Sequence, residues 1–132
     1  MPAQTLQVDL KHFERKLRAR AGVLRQEIRE ALLRSDAEPY MQLAGQVHDA
    51  AEEAIADLLV DVNLSDITRD VEECRDIEGA LTRIATRAFG ICISCREPIA
   101  LERLEAYPTA KRCLACQQLH DRRFATPATP TL

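Results

Sequence analysis

The chain has 132 residues, a length that suits one domain or one domain with an extension. It has no Trp, few aromatic residues and 30% charged residues, a composition that favours long helices over a many-stranded sandwich. The net charge of −3 argues against an unspecific polyanion binder, because such binding needs a surplus of Lys and Arg.

The sequence also bears on location. No apolar run reaches the length of a membrane span, and the first residues lack the apolar core of a secretory signal. We therefore expect a cytoplasmic protein that does not contact membranes. A reducing compartment also keeps thiols free to bind metal.

The first predicted element is a helix that begins near Asp9. Apolar residues recur there at steps of three and four, the spacing of one helical face. They are Leu10, Phe13, Leu17, Ala21, Leu24, Ile28 and Leu32. Residues 34–36 and then Pro39 should end or kink this helix, because proline lacks the amide hydrogen. Between Tyr40 and His48 we expect a short, loosely held helix.

A second apolar stripe runs from Ile55 to Ala88 and predicts one helix over residues 50–88. Such a helix of 39 residues would extend to about 58 Å, so it would stand out as a rod. A lone amphipathic helix cannot bury its stripe, and the first helix, folded back antiparallel, is the economical partner. Cys74 lies in this seam and needs no chemistry there.

Charge supports this pairing of helices. Residues 11–34 hold eight basic residues, whereas residues 49–78 hold eleven acidic ones, so the two segments attract when they lie side by side. We therefore predict a mainly α fold, in which residues 1–88 form an antiparallel helical hairpin, or coiled coil.

Four cysteines follow as Cys92-x2-Cys95, seventeen residues, and Cys113-x2-Cys116. Two thiolate pairs at this spacing predict one zinc ion, and four sulfur ligands leave no position for water. The ion should therefore be structural. Two disulfides are the alternative, but adjacent Cys-x2-Cys pairs make strained bridges and would leave Cys74 over. His120 could replace one cysteine only at a geometric cost.

The zinc site should organise a small lobe over residues 89–124. The second cysteine pair leads into a short C-terminal helix that ends near Phe124, and residues 125–132 are disordered by composition.

The zinc segment resembles the DksA/TraR family of bacterial transcription factors. The resemblance rests on Phe89-Gly90-x-Cys92-x2-Cys95, then Pro98-Ile99-x3-Arg103-Leu104-x-Ala106-x-Pro108-x4-Cys113-x2-Cys116-Gln117. It implies an antiparallel coiled coil that projects from a globular part with the zinc finger. It also implies that the coiled coil enters the secondary channel of RNA polymerase, where its tip alters the lifetime of promoter complexes.

The family's tip pattern, Asp-x-x-Asp-x-Ala, matches Asp49, Glu52 and Ala54, counted back from Cys92. The second carboxylate is kept, but it is one methylene longer. The resemblance thus implies a partner-binding tip near residues 49–54, which we call the acidic segment. Without the resemblance, Asp49 and Glu52 would be read as a helix cap.

Two departures from the family pattern matter. Arg96 replaces the usual glycine after the second cysteine, so we expect a turn there that is either strained or differently hydrogen-bonded, with zinc binding retained. The basic residues that the family uses for the alarmone ppGpp correspond to Asp76, Tyr107 and Gln117. Acidic and neutral groups cannot replace Lys or Arg opposite phosphates, so we expect a weak or absent ppGpp response.

The sequence thus favours a non-enzymatic, monomeric regulator of transcription that binds RNA polymerase and does not read DNA sequence directly. An alternative is a zinc-finger module that binds nucleic acid or another protein partner. Its basic residues would be Arg96, Arg103, Lys111, Arg112, Arg122 and Arg123. An enzyme is disfavoured because we find no nucleophile–base pair, no phosphate-binding Gly-rich loop and no open metal shell.

Overall fold

A computed structural model describes residues 8–35 and 37–124, which fold mainly into α-helices. The helices are α1 (Leu10–Arg34), α2 (Glu38–Asp49), α3 (Ile55–Leu58), α4 (Ser65–Ala85), α5 (Leu101–Ala106) and α6 (Leu114–Phe124). A 3₁₀ turn, Glu52–Ala54, precedes α3. Within these ranges the β pairing is one isolated antiparallel bridge between Ile91 and Pro98. The mainly α prediction is confirmed.

Helix α1 begins and ends where the sequence predicted. The Asp9 carboxylate caps it by accepting a hydrogen bond of 3.1 Å from the His12 backbone N–H. The predicted stripe is buried along the helix, except for Leu10, which is half-buried. The buried residues are Phe13, Leu17, Ala21, Leu24, Ile28, Ala31 and Leu32. This stripe is the centre of the hydrophobic core.

Helix α2 returns antiparallel along the second half of α1. Pro39 lies in its first turn, where the missing N–H costs no helical hydrogen bond. The Arg29 side chain donates to the Ala44 carbonyl at 3.3 Å, and Arg25, one turn earlier, donates to the Ala50 carbonyl. Val47 and Ala44 are fully buried, so this helix is held more firmly than we expected.

The predicted continuous helix over residues 50–88 is wrong. The chain forms the 3₁₀ turn and α3, leaves helical geometry at residues 59–64, and resumes as α4. The 21 residues of α4 extend to about 31 Å, half the predicted rod. Ile55 and Ala56 are buried within the bundle, and the Ala56 N–H donates to Glu78. Folding back buries the same apolar residues that a rod would bury, so periodicity alone did not separate the two.

Helix α4 packs antiparallel to α1, as the hairpin prediction required. Arg20 on α1 holds Glu73 on α4 through two hydrogen bonds of 2.6 and 2.9 Å. Nearer the start of α1, the Phe13 and Phe89 rings lie 5.2 Å apart. Cys74 is buried in the seam, where burial raises the pKa of its thiol to about 11. The basic stretch that contains α1 therefore packs against the acidic stretch that contains α4, as predicted.

Two sequence predictions concern residues that the structure does not describe. The predicted disorder of residues 125–132 lies outside the described residues, as does Asp36, one of the residues predicted to end the first helix. Among the helices that are described, none combines the length and the apolar character that crossing a bilayer requires.

Candidate zinc centre and acidic segment

The zinc lobe begins with a sharp change of chain direction after α4. The N–H groups of Ala88 and Phe89 both donate to the Arg83 carbonyl, at 2.8 and 3.1 Å. Gly90 has a φ of 85°, a left-handed conformation that glycine adopts without steric cost. The turn places Phe89 in the core and directs the chain into the first cysteine pair.

Each cysteine pair is shaped by backbone N–H groups that point at sulfur. The Cys92 sulfur accepts from the N–H groups of Ser94 and Cys95, both at 3.4 Å, and the Cys113 sulfur accepts from Cys116 at 3.5 Å. Such bonds orient metal-binding thiolates and stabilise their negative charge. Although burial acts to raise it, the N–H groups of Cys95, Cys113 and Ser94 lower the pKa of Cys92 to about 6.

The two pairs meet so that their four sulfur atoms lie within 4.8 Å of one another. The Cys95 and Cys113 sulfurs are 3.9 Å apart, close to the separation of about 3.8 Å that tetrahedral Zn–S bonds of about 2.3 Å require. Cys92, Cys95, Cys113 and Cys116 thus fit the ion, and the cofactor is one structural zinc. When bound, the ion contributes folding free energy to the lobe.

His120 lies outside this cluster. Its ring packs against Phe124 with centroids 4.6 Å apart, as expected for a residue of the C-terminal helix that is not needed for the metal.

Contacts that the sequence did not reveal dock the zinc lobe on the helices. Glu105 on α5 contacts His12 at 3.1 Å and Lys16 at 3.2 Å, both on α1. Hydrogen bonds from His12 and then Lys16 lower the pKa of the Glu105 carboxyl. Arg83 on α4 donates to the Thr109 carbonyl at 3.2 Å. About ninety residues separate Glu105 from its partners, so no local pattern could have identified them.

Of the two alternatives for the turn at Arg96, the structure shows backbone strain, with a φ of 66°. We expect Arg96→Gly to raise the free energy of unfolding by about 0.5–1 kcal/mol, because a left-handed conformation costs a non-glycine residue about 1–2 kcal/mol. Part of this gain is lost because glycine makes the unfolded chain more flexible.

Thermal unfolding of the zinc-loaded protein measures the effect of Arg96→Gly. Arg75→Gly is the matched control: Arg75 is exposed within α4, where glycine should instead cost about 1 kcal/mol. Equal losses in both variants would contradict a strained Arg96.

The acidic segment does not stand at the end of a rod. Asp49 is the exposed last residue of α2, and Glu52 lies beside the middle of α1. The Glu52 carboxylate contacts Arg18 at 2.6 Å and Arg25 at 3.1 Å, and its side chain is only 23% exposed. Ala54 ends the 3₁₀ turn and is half-buried. The structure thus differs from the expected protruding tip.

Neither Asp49 nor Glu52 caps a helix, which was the alternative interpretation of this segment. Ala51 is the N-cap of the 3₁₀ turn and makes no side-chain hydrogen bond, while Asp49 belongs to the preceding helix. Glu53 contacts Arg18 at 3.3 Å. Its own backbone N–H, and then Arg18, lower the pKa of the Glu53 carboxyl. The segment is therefore an ion-paired turn rather than a capped helix start.

Asp76, Tyr107 and Gln117, the positions that the resemblance matched to ppGpp-binding residues, line one open groove of about 490 Å³. Burial raises the pKa of the Asp76 carboxyl, although the positive charge of Lys111 acts in the opposite direction. The groove is lined by Asp76, Tyr107, Gln117, Arg103, Lys111, Arg112, Thr109, Ala110, His120 and Asp121. It mixes charges of both signs, and Arg103 is already engaged by the Arg112 carbonyl at 3.0 Å.

Comparisons with known proteins agree with the geometry. Residues 87–122 match the family of the prokaryotic dksA/traR C4-type zinc finger. The chain is 30% identical over 117 residues to the RNA polymerase-binding transcription factor DksA of Escherichia coli K12, covering 89% of this chain and 74% of the relative. It is 31% identical over 116 residues to the protein of the same name from Caulobacter vibrioides, covering 86% and 77%. With its four clustered sulfurs and this similarity along most of its length, the chain belongs to the DksA/TraR family of C4-type zinc-finger proteins.

Proposed function

We propose that the protein binds bacterial RNA polymerase and regulates transcription initiation without catalysing a reaction. The carrying observation is the similarity to proteins named RNA polymerase-binding transcription factor DksA, which extends beyond the zinc finger over 89% of the chain. The similarity therefore covers both the zinc lobe of this chain and the helices that precede it. The proposed site of action is the secondary channel of the polymerase, which the helical hairpin enters.

The acidic segment is the proposed effector of this regulation. Asp49 and Glu52 flank a turn of two alanines with extended backbone, Ala50 and Ala51, so both carboxylates lie at one bend of the chain. A carboxylate delivered to a Mg²⁺-bearing, Arg-rich centre changes its electrostatics without itself reacting. In this proposal the zinc lobe is the base from which the helical hairpin projects. The four thiolates of the lobe complete the metal shell.

Three further properties belong to this proposal. We expect a weak or absent ppGpp response, because Asp76 places a carboxylate in the groove where the family pattern has a basic residue. We also expect the protein to act as a monomer in the cytoplasm. Direct recognition of DNA sequence is not part of the proposed action.

The test combines polymerase binding with transcription. At micromolar concentration the wild-type protein should bind purified polymerase and change the lifetime of promoter complexes. Glu52→Ala should bind polymerase at least as tightly as the wild type and lose most of the transcriptional effect, because it removes the carboxylate of the acidic segment. Glu72→Ala removes an exposed carboxylate from α4 and should behave as wild type. A wild-type protein that fails to bind polymerase, or a Glu52→Ala variant with full effect, overturns the proposal.

A further inference from the structure

The Glu52 carboxylate, which the proposed function requires, already forms ion pairs within the protein. Glu52 lies between the guanidinium groups of Arg18 and Arg25, and Arg25 also donates to the Ala50 carbonyl. These contacts fix the bend of the acidic segment against the middle of α1. A carboxylate neutralised in this way is unavailable to a partner's cations.

Helix α2, the bend and α3 form one continuous stretch of chain, and both the 3₁₀ turn and α3 also contact α4. Helices α2 and α3 contact each other, and the extended residues Ala50 and Ala51 join them. At one end the stretch connects to α1, which stops at Arg34, and Pro39 lies in the first turn of α2. At the other end, residues 59–64 connect it to α4.

Neither connection prevents the helices on its two sides from joining into one helix. Residues 59–64, Leu-Val-Asp-Val-Asn-Leu, contain no Gly or Pro, and the apolar stripe continues through them from Ile55 to Ile67. Their sequence is therefore compatible with helix that joins α3 to α4. Proline within a helix kinks it without always ending it, so α2 can also continue the direction of α1.

An extended arrangement keeps the interface that docks the zinc lobe. The contacts of Arg20 with Glu73 and of Phe13 with Phe89 join α1 to α4 and its end, and neither involves the moving stretch. The buried apolar residues of α2 and α3, Ala44, Val47 and Ile55, can then pack against one another across the hairpin. Opening must break the ion pairs of Glu52 with Arg18 and Arg25. It also breaks the hydrogen bonds of Arg29 with Ala44 and of Ala56 with Glu78, and it separates the buried face of α2 from α1.

We propose that the contacts of Glu52 with Arg18 and Arg25 hold an autoinhibited, folded-back state, and that RNA polymerase selects an extended state in which residues 38–58 swing away from α1. In the extended state the bend at residues 49–52 becomes the end of the helical hairpin. This inference rests on the proposed function, because polymerase is the ligand that shifts the equilibrium.

Distances within the free protein test the opening directly. Spin labels attached through non-canonical amino acids at Arg15 in α1 and Gln46 in α2 occupy exposed positions and leave all five cysteines intact. From the helical rise, the two sites lie about 20 Å apart in the folded-back state and about 45 Å apart when α2 continues α1. Pulsed electron spin resonance resolves these two populations.

We expect the free wild-type protein to show mainly the short distance. The Arg18→Ala/Arg25→Ala double variant should raise the long-distance fraction at least threefold, because it removes both ion pairs of Glu52. Pro39→Ala should raise it as well while leaving the ion pairs intact, since alanine favours a continuous helix. The matched control, Arg69→Ala, lies on α4 outside these contacts and should leave the distribution unchanged.

The same labels in the polymerase complex separate this inference from the proposed function. A complex that shows the long distance supports both. A complex that keeps the short distance overturns the opening while polymerase binding stands. If no complex forms, the proposed function fails, and the free protein still decides: absence of a long distance in both the double variant and Pro39→Ala overturns the opening.

Discussion

Removal of zinc with a chelator is expected to unfold residues 89–113 while most of the helical bundle stays folded. The lobe has few buried side chains of its own, namely Phe89, Cys92, Ile99 and Leu104, so the metal must supply much of its folding free energy. Amide hydrogen exchange measures this loss: the N–H groups of Cys92, Ile93 and Ile99, which are hydrogen-bonded in the lobe, should lose protection. Amides within α1 should remain protected.

Cysteine variants provide the matched control for zinc removal. Cys95→Ser should reduce the metal content well below one zinc per chain, because it replaces one of four sulfur ligands. Cys74→Ala removes a buried sulfur outside the cluster and should keep one zinc. Loss of zinc from Cys74→Ala, or full protection of the lobe after chelation, would contradict the four-sulfur site.

Phe13→Ala is expected to lower the free energy of unfolding by about 3–5 kcal/mol, because it leaves a cavity in the core. Phe13 is only 1% exposed and contacts Phe89, so the variant weakens both the bundle and the docking of the zinc lobe. A domain of this size has about 5–15 kcal/mol in total, so the loss is a large fraction of its stability. Urea unfolding of the zinc-loaded protein measures it.

Val23→Ala is the control for this substitution. Val23 lies on the same helix but is 49% exposed, and its truncation should cost less than about 0.5 kcal/mol. Similar losses in the two variants would mean that the α1 stripe is not the centre of the core.

The sequence predicted the features that depend on local pattern or on fixed spacing. The apolar steps from Phe13 to Leu32 correspond to the buried face of α1, and that helix begins next to Asp9, as predicted. The four cysteines meet as predicted because the Cys-x2-Cys spacing places both sulfurs of a pair within reach of one metal ion. The family resemblance also singled out the turn at Arg96, where strain was one of two expected outcomes and the backbone has a positive φ.

The features that the sequence did not predict depend on competition between two ways of burying the same stripe. Ile55 and Ala56 suit a long rod as well as a folded-back segment, and no Gly or Pro marks the break at residues 59–64. The choice is made by contacts between distant residues, such as Glu52 with Arg18 and Ala56 with Glu78. Helical periodicity carries no information about such pairs.

The most direct test of the proposed function is the location of the acidic segment in a complex with RNA polymerase. A photo-reactive amino acid in place of Glu53 leaves Asp49 and Glu52 intact, and the Glu53 side chain is 48% exposed. The proposal predicts cross-links to polymerase residues that line the secondary channel near the catalytic Mg²⁺. Cross-links confined to the outer surface of the polymerase would contradict it.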